Sequence, residues 1–227
     1  MTPHASLLLL IALGAPVGAS AEPTPSVAAI VRSKEWKVVR TPNKEEEFIG
    51  DVRYKAGPTM LTADWALFKH EPQTWQAKGH VGLEHRLRSG DLVQGFGQRA
   101  DYDQKTQKGS LTNGDALLRF KRTPPAGEPD LGEGRRLDWQ GRERVSLDGE
   151  VHLWGPRLEA WAQRAVREGT LLTLSGDRPV LHLLQGDWTG AVKADTITAV
   201  ERPETISADG KTQGWLQFHD DIRKLAR

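Results

Sequence analysis

The feature that most restricts what this chain folds into is a rhythm of short alternating runs. "FIGDVRY", "TMLTADWALF", "GHVGLEHRL", "GEVHLWG", "LLTLSG" and "PVLHLL" alternate apolar and polar residues and are bounded by Gly, Pro, Asp or Asn. Half-buried antiparallel strands read this way. Glycine-led segments recur at Gly50-Asp51-Val52, Gly79-His80-Val81, Gly114-Asp115-Ala116, Gly149-Glu150-Val151, Gly176 with Val180, and Gly214-Trp215-Leu216. Their spacing of roughly 27 to 38 residues falls in the range of repeat architectures, and each interval holds about two strands. Between them stand Ala63-Asp64, Ala100-Asp101, Leu137-Asp138, Ala160-Trp161 and Ala194-Asp195. The expectation is an all-β fold of stacked two-strand units, with glycine bending the chain at each strand start and the aspartates facing outward or capping turns. A general acid or nucleophile needs one tuned environment. Asp64, Asp101 and Asp195 share a repeated one, so they read as architectural.

Charge and hydropathy narrow the function classes. With 31 basic and 30 acidic side chains the net charge is +1, so no overall field favours nucleic acid or an anionic surface. At 37% hydrophobic residues the chain suits sheets with one wet face. Eight tryptophans against two tyrosines call for large apolar surfaces that need covering or a ligand. Residues 1–21 read as a signal peptide: "LLLLIALGAPVG" has the length of an apolar core and "ASA" ends in a cleavage pattern after Ala21. The implied destination is outside the cytoplasm. Cysteine is absent, which excludes a disulfide framework and a lipid-modified cysteine.

Residues 22–45 read as a polar linker and first strand, 46–218 as the β-domain, and 219–227 as a C-terminal tail in which "HDDIRKLAR" has helical spacing. "RLEAWAQRAVREG" also fits a helix, but the rhythm demands a strand there. "KRTPPAGEPDLGEGRR", residues 121–136, reads as a long exposed loop.

Candidate sites for chemistry are poor. "GFGQRA" matches a relaxed dinucleotide fingerprint, but polar "DYDQKTQKG" follows where a helix is required. The same stretch opens like a calcium loop, yet Lys105 and Thr112 stand at ligand positions, so it reads as a turn. His80, Glu84 and His85 supply too few ligands for a metal, because His85 faces away from the other two on a strand. No catalytic residue, metal or cofactor is assigned. Arg86, Arg88, Arg99, Lys105, Lys108, Lys121 and Arg122 are candidate donors to phosphate, and most read as solvated.

Alternation does select an inward face. The parity that sends Asp64 outward sends Leu61, Ala63, Trp65 and Leu67 inward. Val81 and Leu83, Val151 and Leu153, Leu158 and Ala160, Leu172 and Leu174, and Val192 with Ala194 follow by the same rule. Ile197 shares the parity of Asp195 and interrupts the pattern. Parity shows facing, not openness, so these residues are either a sealed core or the wall of a groove.

"GDVRY…LTADWALF…GHVGLEH…GFGQRADYDQKTQKGSLTNGDALLRF" and "LSGDRPVL…VKADTITAVERPETISADGKTQGWLQF" resemble the OstA-like, or LptA-like, periplasmic proteins of lipopolysaccharide transport, over roughly residues 46–218. The resemblance implies an open, curved antiparallel β-jellyroll whose two sheets enclose an apolar groove. It implies a non-enzymatic bridge that carries lipopolysaccharide from inner to outer membrane, with lipid A acyl chains in the groove. The partners it implies are the inner- and outer-membrane transport components, joined by edge-strand pairing, and further copies of the chain, head to tail. The fourteen inward residues then become groove positions. A retained leader would make the chain a membrane-anchored docking subunit of the same fold. A β-solenoid enzyme acting on a glycan through Asp101 and Asp103 is the remaining alternative.

Overall fold

The computed structural model describes residues 30–40, 42–185, 188–201 and 204–218; the candidate leader and the C-terminal "HDDIRKLAR" lie outside them. The described residues contain strands and no helix. The first six strands are β1 (Ile30–Arg32), β2 (Glu35–Val39), β3 (Glu45–Ala56), β4 (Thr59–Lys69), β5 (Thr74–Arg86) and β6 (Leu92–Asp103). The next six are β7 (Lys108–Thr112), β8 (Leu118–Thr123), β9 (Asp130–Gly134), β10 (Arg136–Gln140), β11 (Arg144–Trp154) and β12 (Leu158–Glu168). The last are β13 (Leu171–Ser175), β14 (Val180–Gln185), β15 (Trp188–Lys193), β16 (Thr196–Glu201), β17 (Glu204–Asp209) and β18 (Gln213–Phe218). "RLEAWAQRAVREG" is thus a strand, as the rhythm requires.

The 18 strands form one antiparallel network that folds into two facing sheets, because the long strands belong to both. In the first sheet β1 pairs with residues 53–55 of β3, followed by 59–63 of β4, 81–86 of β5, 92–97 of β6, then β8, β9, the end of β11, the start of β12, β14, β15 and β18. In the second, β2 pairs with the start of β3, followed by 65–69 of β4, 74–78 of β5, 99–103 of β6, then β7, β10, the start of β11, the end of β12, β13, β16 and β17. The result is a curved, jellyroll-like β-fold.

The passage from one sheet to the other is made by a repeated bulge. Gly50 and Asp51 of β3 stand opposite the single residue Asp64, Gly79 and His80 opposite Gln98, and Gly149 and Glu150 opposite Gln163. In each pair both residues have positive φ: 75° and 48°, 74° and 43°, 77° and 51°. Two residues facing one bend a strand, and glycine is the residue that enters this conformation without steric cost. The bends lie inside β3, β5 and β11, which corrects the expectation that glycine opens each strand. A side chain from the neighbouring strand or corner fills the space over the glycine: Lys34 over Gly50, Asp64 over Gly79, Arg135 over Gly149, Gln163 over Gly176 and Asp195 over Gly210. Lys34 pairs with Asp51 at 2.7 Å, His80 Nδ1 with Asp64 at 2.7 Å, and Arg135 with Glu150.

The corners also reset alternation. In β4 the corner falls at Asp64, so Leu61 and Ala63 face inward as expected, but beyond it Ala66 and Phe68 do. Trp65 and Leu67 are on the outer face, a correction to the simple parity reading. The Trp65 indole donates to Glu47 at 2.6 Å and lies under the Lys78 ammonium, 5.0 Å from its ring centroid. Ala194 and Ile197 are both fully buried because Asp195 forms a corner between β15 and β16. Residues 121–136 are not a long loop: β8 and β9 pair from Leu118 opposite Gly134 to Arg122 opposite Asp130. Gly132 and Gly134 stand in β9 as glycines because a Cβ there would meet Leu153 at 2.6 Å and Leu147 at 2.8 Å.

The sheets are tied together at His85. Its Nε2 donates to the Gly141 carbonyl at 2.6 Å, and its Nδ1 lies 2.8 Å from the Thr59 hydroxyl, which donates to it when the ring is neutral. Burial pushes its pKa below the usual value, the Arg142 charge acts in the same direction, and the hydrogen bond to Gly141 opposes them. The unfolded chain therefore binds more protons than the native one as pH falls through about 6.5, and stability drops with it. Denaturant titrations at pH 7.5 and 5.5 are expected to show a weaker fold at the lower pH, with a shallower dependence in His85→Leu. Gly79→Ala, strained in φ and pressed to 2.5 Å from Asp64 Oδ2, is expected to cost more than the ~1–2 kcal/mol of left-handed strain alone. Gly57→Ala, with φ +51° and open space, should show the strain alone.

Candidate functional site

The space between the sheets differs in its two halves, and the difference follows from where the aromatic side chains point. In the N-terminal half Phe48, Tyr54, Phe68, Trp75, Tyr102 and Trp139 all turn inward. Trp75 lies 4.6 Å from Tyr54, 4.6 Å from Phe68 and 5.7 Å from Phe48 between ring centroids, and Tyr102 stacks on Trp139 at 6.1 Å. The gap left among them is about 10 Å³, at the lower limit of room for one water. This half is a sealed core.

In the C-terminal half the inward positions carry aliphatic and small residues, and the sheets separate around a cavity of about 730 Å³. Phe120, Leu153, Leu158, Leu181 and Leu183 line it from the first sheet. Val145, Leu147, Ala165, Leu172, Ala199, Val200 and Ile206 line it from the second. Its volume is that of a ligand pocket. The lining reaches Ile206 on β17, which is 37% exposed at the edge of the second sheet.

Charged groups close the opposite end. Asp91, only 2% exposed, receives the Nε of Arg122 at 3.1 Å and the Nε of Arg167 at 3.2 Å on one carboxylate oxygen. Arg122 rises from β8 and Arg167 from β12, so the carboxylate joins the two sheets. Arg122 also donates to Asp130 at 2.6 Å. The segment Pro124 to Glu128 lies over this end of the cavity.

Of the residues selected by parity, Leu153, Leu158 and Leu172 line the cavity. Leu61 borders the sealed space of the N-terminal half. Ala63, Val81, Leu83, Val151, Ala160, Leu174 and Ala194 are buried core, and Val192 packs against it. Trp65 and Leu67 face out. Alternation in "PVLHLL" and "RVSL" carries Leu181, Leu183, Val145 and Leu147, which were not selected. Nothing local marks Arg122, Arg167 and Asp91, which meet only through tertiary structure. Arg99 pairs with Asp101 and Arg88 with Glu143 on the surface. The dinucleotide-like glycines lie within β6, and Asp103 Oδ1 accepts the amides of Lys105 and Thr106 in the β6–β7 turn. His80, Glu84 and His85 have separate partners in Asp64, Gln94 and Thr59.

Two edges remain at the ends of each sheet. Among the described residues β1 and β2 pair only with β3, β17 only with β16, and β18 only with β15. Trp36, Val39, Trp215 and Leu216 on these strands are more than half exposed. The described residues thus form a curved, jellyroll-like all-β fold with a cavity between its sheets. No family model matches the chain, and no curated protein matches it.

Removing one partner of a buried ionic cluster leaves an uncompensated charge. Asp91→Ala is expected to lower stability by about 3–5 kcal/mol, measured by urea unfolding. Arg88→Ala at its exposed pair should change it by no more than about 1 kcal/mol.

Proposed function

We propose that the protein is a non-enzymatic lipid carrier that holds acyl chains of lipopolysaccharide between its two sheets during transport across the periplasm. The observation that carries this reading is the apolar cavity of about 730 Å³ reaching an exposed sheet edge. Leucine, valine and alanine supply eleven of its twenty-five lining residues, the chemistry that shields hydrocarbon from water without reacting with it, and the charged residues gather toward one end. The resemblance of the strand rhythm to lipopolysaccharide-transport proteins supplies the lipid and the compartment. The unpaired edges support strand addition, by which further copies or membrane components would prolong the path.

The sealed N-terminal half favours one variant of this reading. Aromatic packing from Trp75 to Trp139 blocks a continuous channel within one copy, as in a docking subunit that receives acyl chains at its C-terminal end. A through-bridge requires that core to part. The two differ in whether a photo-crosslinker at Leu83 captures lipid.

A photo-reactive residue at Leu172 or Leu183 is expected to give light-dependent lipopolysaccharide adducts in cells, whereas one at Trp65, on the outer face, should give none. Absence of adducts at both cavity positions in folded protein would sink the reading. Ala199→Phe, which narrows the cavity, is expected to weaken binding of a fluorescent fatty acid at least about tenfold while unfolding at the wild-type denaturant concentration or above it.

A further inference from the structure

The unusual tryptophan content is only half explained by the core. Among the described side chains of the C-terminal half, Trp154, Trp161 and Trp215 face outward, on the back of the cavity wall. Leu153 and Leu181 point into the cavity, and their neighbours Trp154 and His182 point away from it. Across β11, β12, β14, β15 and β18 the register sets Trp154, Glu159, His182, Ala191 and Trp215 opposite one another in one row. His152 stands opposite Trp161 beside it.

The rings hold each other in place. His152 stacks on Trp161 with centroids 5.0 Å apart and planes 8° apart, and lies 4.7 Å from Trp154. His182 meets Trp161 edge-on at 5.0 Å. His152 Nε2 is 3.0 Å from Glu159, and its Nδ1 is 4.0 Å from Glu133. Trp161 remains 37% exposed and Trp215 53%. A rigid aromatic surface left open to water on a sheet face marks a binding site.

We infer that this outer face is a platform for a saccharide chain, a site separate from the cavity and independent of the lipid-carrier reading. Three features select that chemistry. Indole faces carry negative quadrupole charge and attract the weakly positive C–H face of a pyranose ring; His152 covers one face of Trp161, so a sugar meets the parts of Trp161 and Trp215 that remain exposed. Glu133 and Glu159 beside the rings are hydrogen-bond acceptors suited to sugar hydroxyls, and exposed Arg119, opposite Glu133, and Lys193, in register with Trp161 through Val180, add donors on the same face. Rows of side chains on adjacent strands repeat at about 4.8 Å, close to the length of one hexose unit. Ala191, between His182 and Trp215, leaves a shallow trough in the platform.

Titration of the full chain with cellohexaose and with maltohexaose, followed by tryptophan fluorescence and NMR, tests the inference. Saturable binding of at least one oligosaccharide is expected, at least about tenfold weaker in Trp161→Ala, weaker also in Glu159→Gln, and unchanged in Trp36→Ala at the far edge. Trp215→Ala, on the exposed last strand, serves if Trp161→Ala does not fold. The inference is overturned if neither sugar binds at millimolar concentration, or if the platform variants bind as wild type. It is equally overturned if these variants lose instead attachment to phosphatidylethanolamine and phosphatidylglycerol vesicles, which would make the face a membrane contact. Fluorescent fatty acid binding in Trp161→Ala should match wild type, so failure here and failure of the lipid-carrier reading are distinguishable.

Discussion

The left-handed glycine at the bend of a long strand is the constraint on which the rest of this structure depends. Strands such as β3, β5 and β11 would otherwise run straight through a single flat sheet with one face uncovered. At Gly50, Gly79 and Glu150 preceded by Gly149, two residues occupy the place of one, and the strand turns into the opposite sheet. Each strand then supplies both walls of the interior. The space above each glycine is filled by a side chain of its neighbour, so any Cβ there meets both conformational strain and an occupied site. Asp64 and Asp195 owe their place in the repeat to this packing.

Once the sheets face each other, the direction of a few large rings decides what the interior is for. Inward Trp75 and Trp139, with their tyrosine and phenylalanine neighbours, draw the N-terminal half together into a solid core. Outward Trp154, Trp161 and Trp215 leave the C-terminal interior to leucine, valine and alanine, which do not span the gap. The same residue type thus closes one half and, by facing away, opens the other. Asp91 with Arg122 and Arg167 ends the open part. Buried ion clusters contribute little net stability when intact, but one joined to both sheets specifies how far apart they stand at that end.

Strand alternation, turn residues and a recurring glycine made the all-β fold readable in the linear chain, together with the inward facing of Val81, Leu83, Val151, Leu153, Leu158 and Leu172. These are local properties: side chains alternate along any strand, and glycine alone enters the left-handed region freely. Parity failed at Trp65 and Leu67 because the corner at Asp64 restarts the alternation, and the position of a corner is set by the strand opposite. The proline and glycine content of residues 121–136 misled in another way: Gly132 and Gly134 belong to a strand, and they are glycines because leucines of β11 take the room a side chain would need.

What the sequence by itself determined is which residues form strands and, between corners, which face of the sheet each one occupies. Only the tertiary structure decided whether an inward residue meets a ring across the interior or an open cavity. The reason is that facing depends on neighbours along the chain, whereas openness depends on the volume of side chains brought from the opposite sheet, dozens of residues away. Ala63 and Leu172 carry the same inward pattern, yet one is sealed in the core and the other lines the cavity.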